Sequence, residues 1–179
     1  MHTNIRPLIV ASLLAASWAT PSFAQHPAMP AGMTHDEHQR QLQKEAELKQ
    51  RGAAAMGFDQ DATSHHFRLT PSGGAIEVGV KNPSDAASLA AVRAHLQEIA
   101  GEFARGNFAK PFATHGEAPP GALEMEQRKA ALAYTYEETP VGGRVAITAS
   151  DENARQAVHE FLRYQIREHA TGDPLTVPR

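Results

Sequence analysis

Residues 65–80 have the sequence HHFRLTPSGGAIEVGV, and this stretch decides the fold class. Two runs of alternating apolar and polar side chains flank a Pro-Ser-Gly-Gly turn, which is the pattern of a β-hairpin. Residues 132–148, LAYTYEETPVGGRVAIT, repeat this arrangement around a second Gly-Gly pair. A helical pattern follows each hairpin, beginning near Ser84 or Asp85 in the first case and after Ser150 in the second. The chain is therefore predicted to contain two ββα units.

The two units keep nearly the same spacing. The glycine pairs lie 69 residues apart and the Ala-Val pairs of the two helices lie 66 apart, so one three-residue indel aligns them. Chance similarity between two common patterns is the alternative, and it predicts the same coarse fold. We expect an α+β fold in which a tandem ββα repeat forms a four-stranded antiparallel sheet with two helices on one face, preceded by an N-terminal helix.

The first 24 residues predict export. A weakly positive start, an apolar run from Leu8 to Ala19 and small residues up to Ala24 form the pattern of a signal peptide. We expect cleavage after Ala24 and a periplasmic or secreted protein. The apolar run is shorter than a membrane span, so no span is expected after processing.

The remaining chain divides by composition. The segment 106–128, which links the two ββα units, is rich in Pro, Gly and Ala and has little periodicity. Connections of that length are usually functional or disordered. The N-terminal helix is predicted to open with a Thr34–Glu37 capping box and to stop at Gly52. The predicted parts are a flexible His/Met arm (25–34), this N-terminal helix (35–52), the α+β domain (53–173) and a tail (174–179). Within the domain, units 64–105 and 129–170 are joined by the linker 106–128.

Composition excludes several classes of function. The 179 residues include no cysteine, so disulfides, cysteine metal sites and a thiol nucleophile are absent. Seventeen basic residues against 20 acidic ones, without a basic cluster, argue against a nucleic-acid partner. No nucleophile elbow or phosphate-binding glycine loop is present, and His159-Glu160 lacks the second histidine of a zincin because position 163 is arginine. We expect a protein that is not an enzyme.

Histidine is abundant, with 10 residues, and it points to metal chemistry. Without cysteine, a soft-metal site has to be built from imidazole and thioether groups, a combination that suits copper and above all Cu(I). We predict a copper ion as the partner. The first-choice ligands are the histidines and methionines nearest the two irregular segments: Met56, His65, His66, His115 and Met125.

Other histidines offer a second choice. Strand alternation turns His65 toward the helices and His66 outward. His65 is therefore expected to meet His95 of the first ββα unit, and either His159 or His169 of the second unit, beneath the sheet. The arm adds His35 and His38. Each of these groups also has an ordinary interpretation. The helix histidines can be hydrogen-bonded residues at the edge of the core, Met56 and Met125 can be core residues, and the arm can be a solvated linker.

Two other functional classes remain open. A ligand- or protein-binding module would use the polar sheet face that bears His66, Arg68, Glu77 and Arg144. An acid–base enzyme would pair His65 or His66 with Asp59. A homodimer through the sheet face or an edge strand is compatible with so small a sheet.

The segment Met56-Gly57-Phe58-Asp59-Gln60, with Thr63 and His65-His66-Phe67, resembles an uncharacterised family of small exported bacterial proteins. The resemblance covers most of residues 50–173. Some members are similar to proteins labelled aspartate carbamoyltransferase, but this chain has no Ser-x-Arg-Thr phosphate motif. The resemblance therefore implies an exported protein and carries over no activity or catalytic residue.

Overall fold

A computed structural model of the protein describes residues 32–178. The predicted signal peptide and the arm up to residue 31 lie outside the described residues. Helix α1 (His35–Met56) opens with the predicted capping box: the Thr34 hydroxyl accepts the Glu37 N–H at 3.3 Å, and the Glu37 carboxylate accepts the Thr34 N–H at 2.8 Å.

Helix α1 does not end at Gly52, so that prediction is wrong. The helix continues one turn to Met56, and Gly57 takes the left-handed cap conformation with φ 78°. Gly52 serves packing instead, because a Cβ there would lie 1.9 Å from the Gln60 amide nitrogen. The glycine allows the chain after the helix to fold back closely against it.

The remaining elements confirm the predicted α+β fold and its tandem ββα order. The four strands form one antiparallel sheet in the order β1-β2-β4-β3. Two short helices occupy the segment predicted as a linker, and a 3-10 turn precedes each hairpin (Gln60–Ala62 and Lys129–Ala131). The elements after α1 are β1 (Thr63–Thr70), β2 (Gly73–Val80), α2 (Ala86–Ala104), α3 (Ala109–His115), α4 (Ala122–Gln127), β3 (Leu132–Thr139), β4 (Gly142–Ala149) and α5 (Glu152–Glu168).

The first glycine of each Gly-Gly pair lies in the central β2–β4 strand pair. A Cβ at Gly73 would lie 2.3 Å from the Ile147 carbonyl oxygen, and one at Gly142 would lie 1.9 Å from that of Val78. Any side chain at these two positions would force the central strands apart. The repeated glycines are therefore required by the way the two hairpins join.

The second glycine of each pair lets a helix approach the sheet. A Cβ at Gly74 would lie 2.2 Å from Cδ1 of Leu162 on α5 and also 2.5 Å from the Arg68 carbonyl oxygen on β1. One at Gly143 would lie 2.8 Å from the Tyr136 ring on β3 and 3.0 Å from Cδ1 of Leu96 on α2. Helix α5 packs mainly over β1 and β2, whereas α2 packs mainly over β3 and β4. Each helix thus covers the hairpin of the other unit, so neither unit completes its core alone.

The open face of the sheet carries a row of charged side chains, one from each strand. Arg68 contacts Glu77 at 3.0 Å, Glu77 contacts Arg144 at 3.3 Å, and Arg144 contacts Glu137 at 3.5 Å. These alternating charges neutralise one another across the strands. The face therefore presents little unpaired charge to a charged ligand.

Segments at both ends of the chain cover the ends of the sandwich. Arg51 of α1 donates hydrogen bonds to the carbonyls of Thr114 and His115, at 3.1 and 3.4 Å, and so fastens α1 to the end of α3. At the other side, the carboxylate of Asp173 accepts the Phe67 N–H of edge strand β1 at 2.9 Å. Between residues 32 and 178, no helix has the length and apolar character needed to cross a membrane.

Candidate functional site

Four histidines line one partly open cavity between the sheet and the helices. Each comes from a different part of the fold: His65 from β1, His95 from α2, His115 from the end of α3, and His169 from the residue that follows α5. The cavity has a volume of about 60 Å³ and its walls contain no aspartate or glutamate. Apart from apolar groups and the four imidazoles, the wall includes Met56, Lys110, Thr114 and Gln165.

The imidazole rings are in contact with one another. His169 stacks on His65 with ring centroids 5.6 Å apart and planes inclined by 14°, and it meets His115 edge to face at 5.3 Å. Phe58 links this row to His95, because its ring stacks on His65 at 5.9 Å and meets His95 at 5.5 Å. The result is a continuous row of aromatic rings, of which the four imidazoles line the cavity.

Several ring nitrogens of these histidines have no hydrogen-bond partner. Nε2 of His65, Nδ1 of His95 and Nδ1 of His115 are buried, and none has a partner within residues 32–178. His115 Nε2 lies 3.0 Å from the amide oxygen of Gln165. With that oxygen accepting, Nε2 carries the proton and Nδ1 keeps its lone pair. Buried polar atoms normally have partners, so unpaired nitrogens in one cavity mark a site suited to a ligand.

The histidines of the cavity are held in the neutral form. Burial, reinforced by the charges of neighbouring residues, lowers the pKa of His65 and of His95 to about 4, and burial beside two other imidazoles lowers the pKa of His169 to about 3. Burial also lowers the pKa of His115, although its hydrogen bond with Gln165 opposes the shift. Neutral imidazole is the form that coordinates metals and accepts protons.

The cavity contains three of the five first-choice ligands, Met56, His65 and His115. The structure does not bring the other two to it. His66 extends from the opposite face of β1, where its Nδ1 lies 3.1 Å from Asp173, and Met125 is fully buried in α4.

Two of the second-choice histidines, His95 and His169, also line the cavity, in keeping with the convergence beneath the sheet expected from the pattern. His159 does not, because its Nε2 lies 2.9 Å from the Thr70 carbonyl oxygen at another part of the sheet. His35 is exposed and His38 is buried, both in the first turn of α1 and outside the cavity wall.

The described part of the chain, residues 32–178, contains no three His, Asp or Glu side chains already arranged to hold a metal ion. The ring orientations account for this. A nitrogen lone pair lies in the plane of its imidazole, so the parallel rings of His65 and His169 direct their lone pairs past each other. A ligand that uses both nitrogens has to turn at least one ring.

Asp59 is not the acid that pairs with a histidine, so that part of the acid–base hypothesis is wrong. Its carboxylate accepts the Asp61 N–H at 2.8 Å and caps the 3-10 turn before β1. The acid beside His66 is Asp173, 107 residues away in the chain. No local pattern could have indicated this pair, because the tail reaches β1 only in the folded protein.

Sequence reasoning also missed Gln165, which orients His115. A signal for it was present, since Gln165 interrupts the apolar stripe of α5 between Leu162 and His169. A polar residue at a core position requires a hydrogen-bond partner, and here that partner is the buried imidazole of His115.

Comparisons of the chain with protein-family models, with curated proteins and with solved structures give no match, and its function is therefore inferred from the geometry of the cavity.

Proposed function

We propose that this protein is an exported, periplasmic or secreted metal-binding protein, not an enzyme, which holds one copper ion as Cu(I) in the histidine-lined cavity. The ligands are drawn from His65, His115 and His169, with the Met56 thioether beside them. One observation carries the proposal: three imidazoles in ring contact share with a methionine a cavity that has no carboxylate in its wall.

The composition of the wall favours Cu(I) over divalent ions. Imidazole and thioether are ligands that Cu(I) accepts, whereas calcium and magnesium prefer oxygen ligands. A cavity that disfavours protonated imidazole also disfavours any buried charge, and a divalent ion brings twice the charge with no carboxylate to offset it. Zinc and Cu(II) are therefore expected to bind more weakly than Cu(I).

The ring orientations are compatible with this ion if the stacked pair opens. Cu(I) accepts a low coordination number, so two imidazoles that turn toward each other are sufficient to hold it. His169 contacts both His65 and His115. The ion can therefore be held by His65 with His169 or by His115 with His169, and His169 is a ligand in both cases.

The direct test is an anaerobic titration of the purified mature chain with Cu(I), in competition with a chromophoric Cu(I) chelator. We expect one ion for each chain with submicromolar affinity, and a loss of affinity of about 100-fold or more for His169→Ala. His159→Ala is the matched control, because His159 lies on the adjacent helix α5, is also buried, and bonds to a carbonyl outside the cavity. Its affinity should stay within about twofold of wild type.

Three results would contradict the proposal. The first is no binding by the wild-type chain, and the second is equal affinity for His169→Ala and wild type. The third is loss of binding in a His35→Ala/His38→Ala double variant with His169→Ala unaffected, which would place the site in the first turn of α1.

The affinity of the cavity for Cu(I) is expected to change little between pH 7 and pH 5. Protons compete weakly there, because burial lowers the pKa of His65 to about 4 and the pKa of His169 to about 3. An ordinary histidine ligand with a pKa near 6.5 would lose about 20-fold in affinity over the same interval. The same competition titration repeated at both pH values measures the difference, and a drop of that size for each ligand would rule out the cavity as the site.

A further inference from the structure

A surface cleft adjoins the cavity. It has a volume of about 330 Å³ and lies between the 3-10 turn before β1, strand β1 itself and the start of the C-terminal tail. His65 and His169 line both the cleft and the cavity, so the two adjoin at the stacked pair. His66 lines only the cleft.

The position of β1 explains how two consecutive histidines reach one cleft. Neighbouring side chains on a strand point to opposite faces of the sheet. Because β1 is an edge strand, both faces are accessible where the cleft runs across its open side. His65 is thus reached from the helix-covered face and His66 from the open face.

Asp173 fixes the orientation and the tautomer of His66. The Asp173 side chain is only 7% exposed, whereas that of His66 is 41% exposed. Besides His66 Nδ1, the carboxylate accepts hydrogen bonds from the Phe67 N–H at 2.9 Å and the Thr171 hydroxyl at 2.8 Å. With that carboxylate accepting, a neutral His66 ring donates through Nδ1, and Nε2 is then the nitrogen that carries the lone pair.

A carboxylate behind a partly exposed histidine is the arrangement found around histidines that bind metals, where the acid sets the tautomer and makes the ring a stronger ligand. Of the two lysines of the cleft, only Lys49 is paired with a carboxylate within residues 32–178. Lys49 contacts the Asp61 carboxylate at 2.8 Å, and Lys81 donates to the Asp61 carbonyl oxygen at 3.0 Å.

We propose that Nε2 of His66 is a second, outer binding position for Cu(I), which captures the ion from solvent before it passes between His65 and His169 into the cavity. This inference rests on the proposed function. The outer position holds the ion through one histidine, whereas the cavity offers several, so the ion resides in the cavity at equilibrium. His66 thus governs how fast copper binds and not how tightly.

The test measures rate and equilibrium separately on the full mature chain. Stopped-flow mixing with a Cu(I) complex of a chromophoric chelator gives the association rate, and competition titration gives the affinity. We expect His66→Ala to slow association about tenfold and to leave the affinity within about twofold of wild type. His159→Ala serves as the control and should change neither quantity.

A second variant tests the role of the acid. Asp173→Asn keeps the shape of the side chain but removes its charge and replaces one of the two acceptor oxygens by an N–H donor, so it should also slow association. Nitrogen-15 NMR of the metal-free protein should show the His66 proton on Nδ1 in the wild type and a shifted tautomer balance in Asp173→Asn. This readout does not depend on copper.

Each outcome has a distinct meaning. Slow association at unchanged affinity supports the outer position. Unchanged association in His66→Ala overturns it and leaves cavity binding intact, whereas a large loss of affinity overturns it by making His66 a resident ligand. No copper binding by the wild-type chain overturns the proposed function and this inference together.

Discussion

The metal-free protein is expected to lose roughly 5–6 kcal/mol of its free energy of unfolding between pH 7 and pH 5. Burial lowers the pKa of His65 and His95 to about 4 and that of His169 to about 3 in the folded protein, whereas a histidine in the unfolded chain titrates near 6.5. The unfolded state therefore binds more protons in this interval. Stability is greatest above about pH 6.5 and falls as the pH decreases toward about 4.

Urea unfolding of the chelator-treated protein at a series of pH values measures this dependence. Each histidine contributes at most about 1.4 kcal/mol per pH unit, so removing one of them should flatten the slope by about a third. His95→Leu is the suitable variant because the ring borders an apolar part of the wall. His35→Gln, at an exposed position of α1, is the control and should leave the slope unchanged. A flat profile between pH 5 and pH 7 would show that the rings are not buried as described.

Neighbouring charges also affect the pH range in which protonation of these histidines lowers the stability. Burial is the main cause of both shifts; His66 and Lys81 further lower the pKa of His65, and Lys110 further lowers that of His95 against the opposing effect of Glu98. Burial raises the pKa of Asp173, but its hydrogen bonds outweigh that effect and the net shift is downward. Loss of stability from protonating Asp173 is therefore expected below the histidine window, as the pH falls under about 4.

Gly142→Ala is expected to destabilise the protein by more than about 3 kcal/mol. The added Cβ would lie 1.9 Å from the Val78 carbonyl oxygen and 2.9 Å from the Gly79 Cα, both on the neighbouring central strand. Backbone atoms of a central strand cannot move aside singly, so β2 and β4 would have to separate. The midpoint of urea unfolding measures the loss.

Gly101→Ala is the matched control, because it makes the same chemical change in helix α2. The nearest atom to the added Cβ is Nη1 of Arg105, at 3.4 Å on a flexible side chain. Alanine is favoured over glycine inside a helix, so this variant should be neutral or more stable by up to about 1 kcal/mol. If Gly142→Ala instead lies within about 1 kcal/mol of wild type, the close approach of the two hairpins is not needed for the fold.

The elements of this fold could be predicted because the forces that form them are local. Alternation of apolar residues identifies both hairpins, and Asp85 and Asp151 cap the helices that follow, each accepting an N–H three residues on. The helix end at Gly52 was mistaken because a glycine has two uses, a left-handed cap or a close contact, and the sequence pattern does not distinguish them. Only the position of Gln60 in space decides between them.

The site could be predicted only in part. Strand alternation turned His65 inward and helix periodicity placed His95 on an apolar border, which is why these two were expected under the sheet. His115 reaches the same cavity because Arg51 fastens the end of α3 to α1, a contact between residues 63 positions apart. No periodicity extends over such a distance.

The amino-acid sequence by itself determined the two ββα units and the requirement that any soft-metal site use histidine and methionine, whereas the structure showed that the glycine pairs predicted as turns let the units join. Tertiary structure decided that His169 and not His159 joins His65 and His95, and that His115 joins them, because helices α2 and α5 each cross to the hairpin of the other unit. The lowered pKa values follow from that assembly, since burial depends on what packs around a ring and not on its neighbours in the chain. Local patterns act over a few residues, whereas the cavity is closed by contacts between residues that lie far apart in sequence.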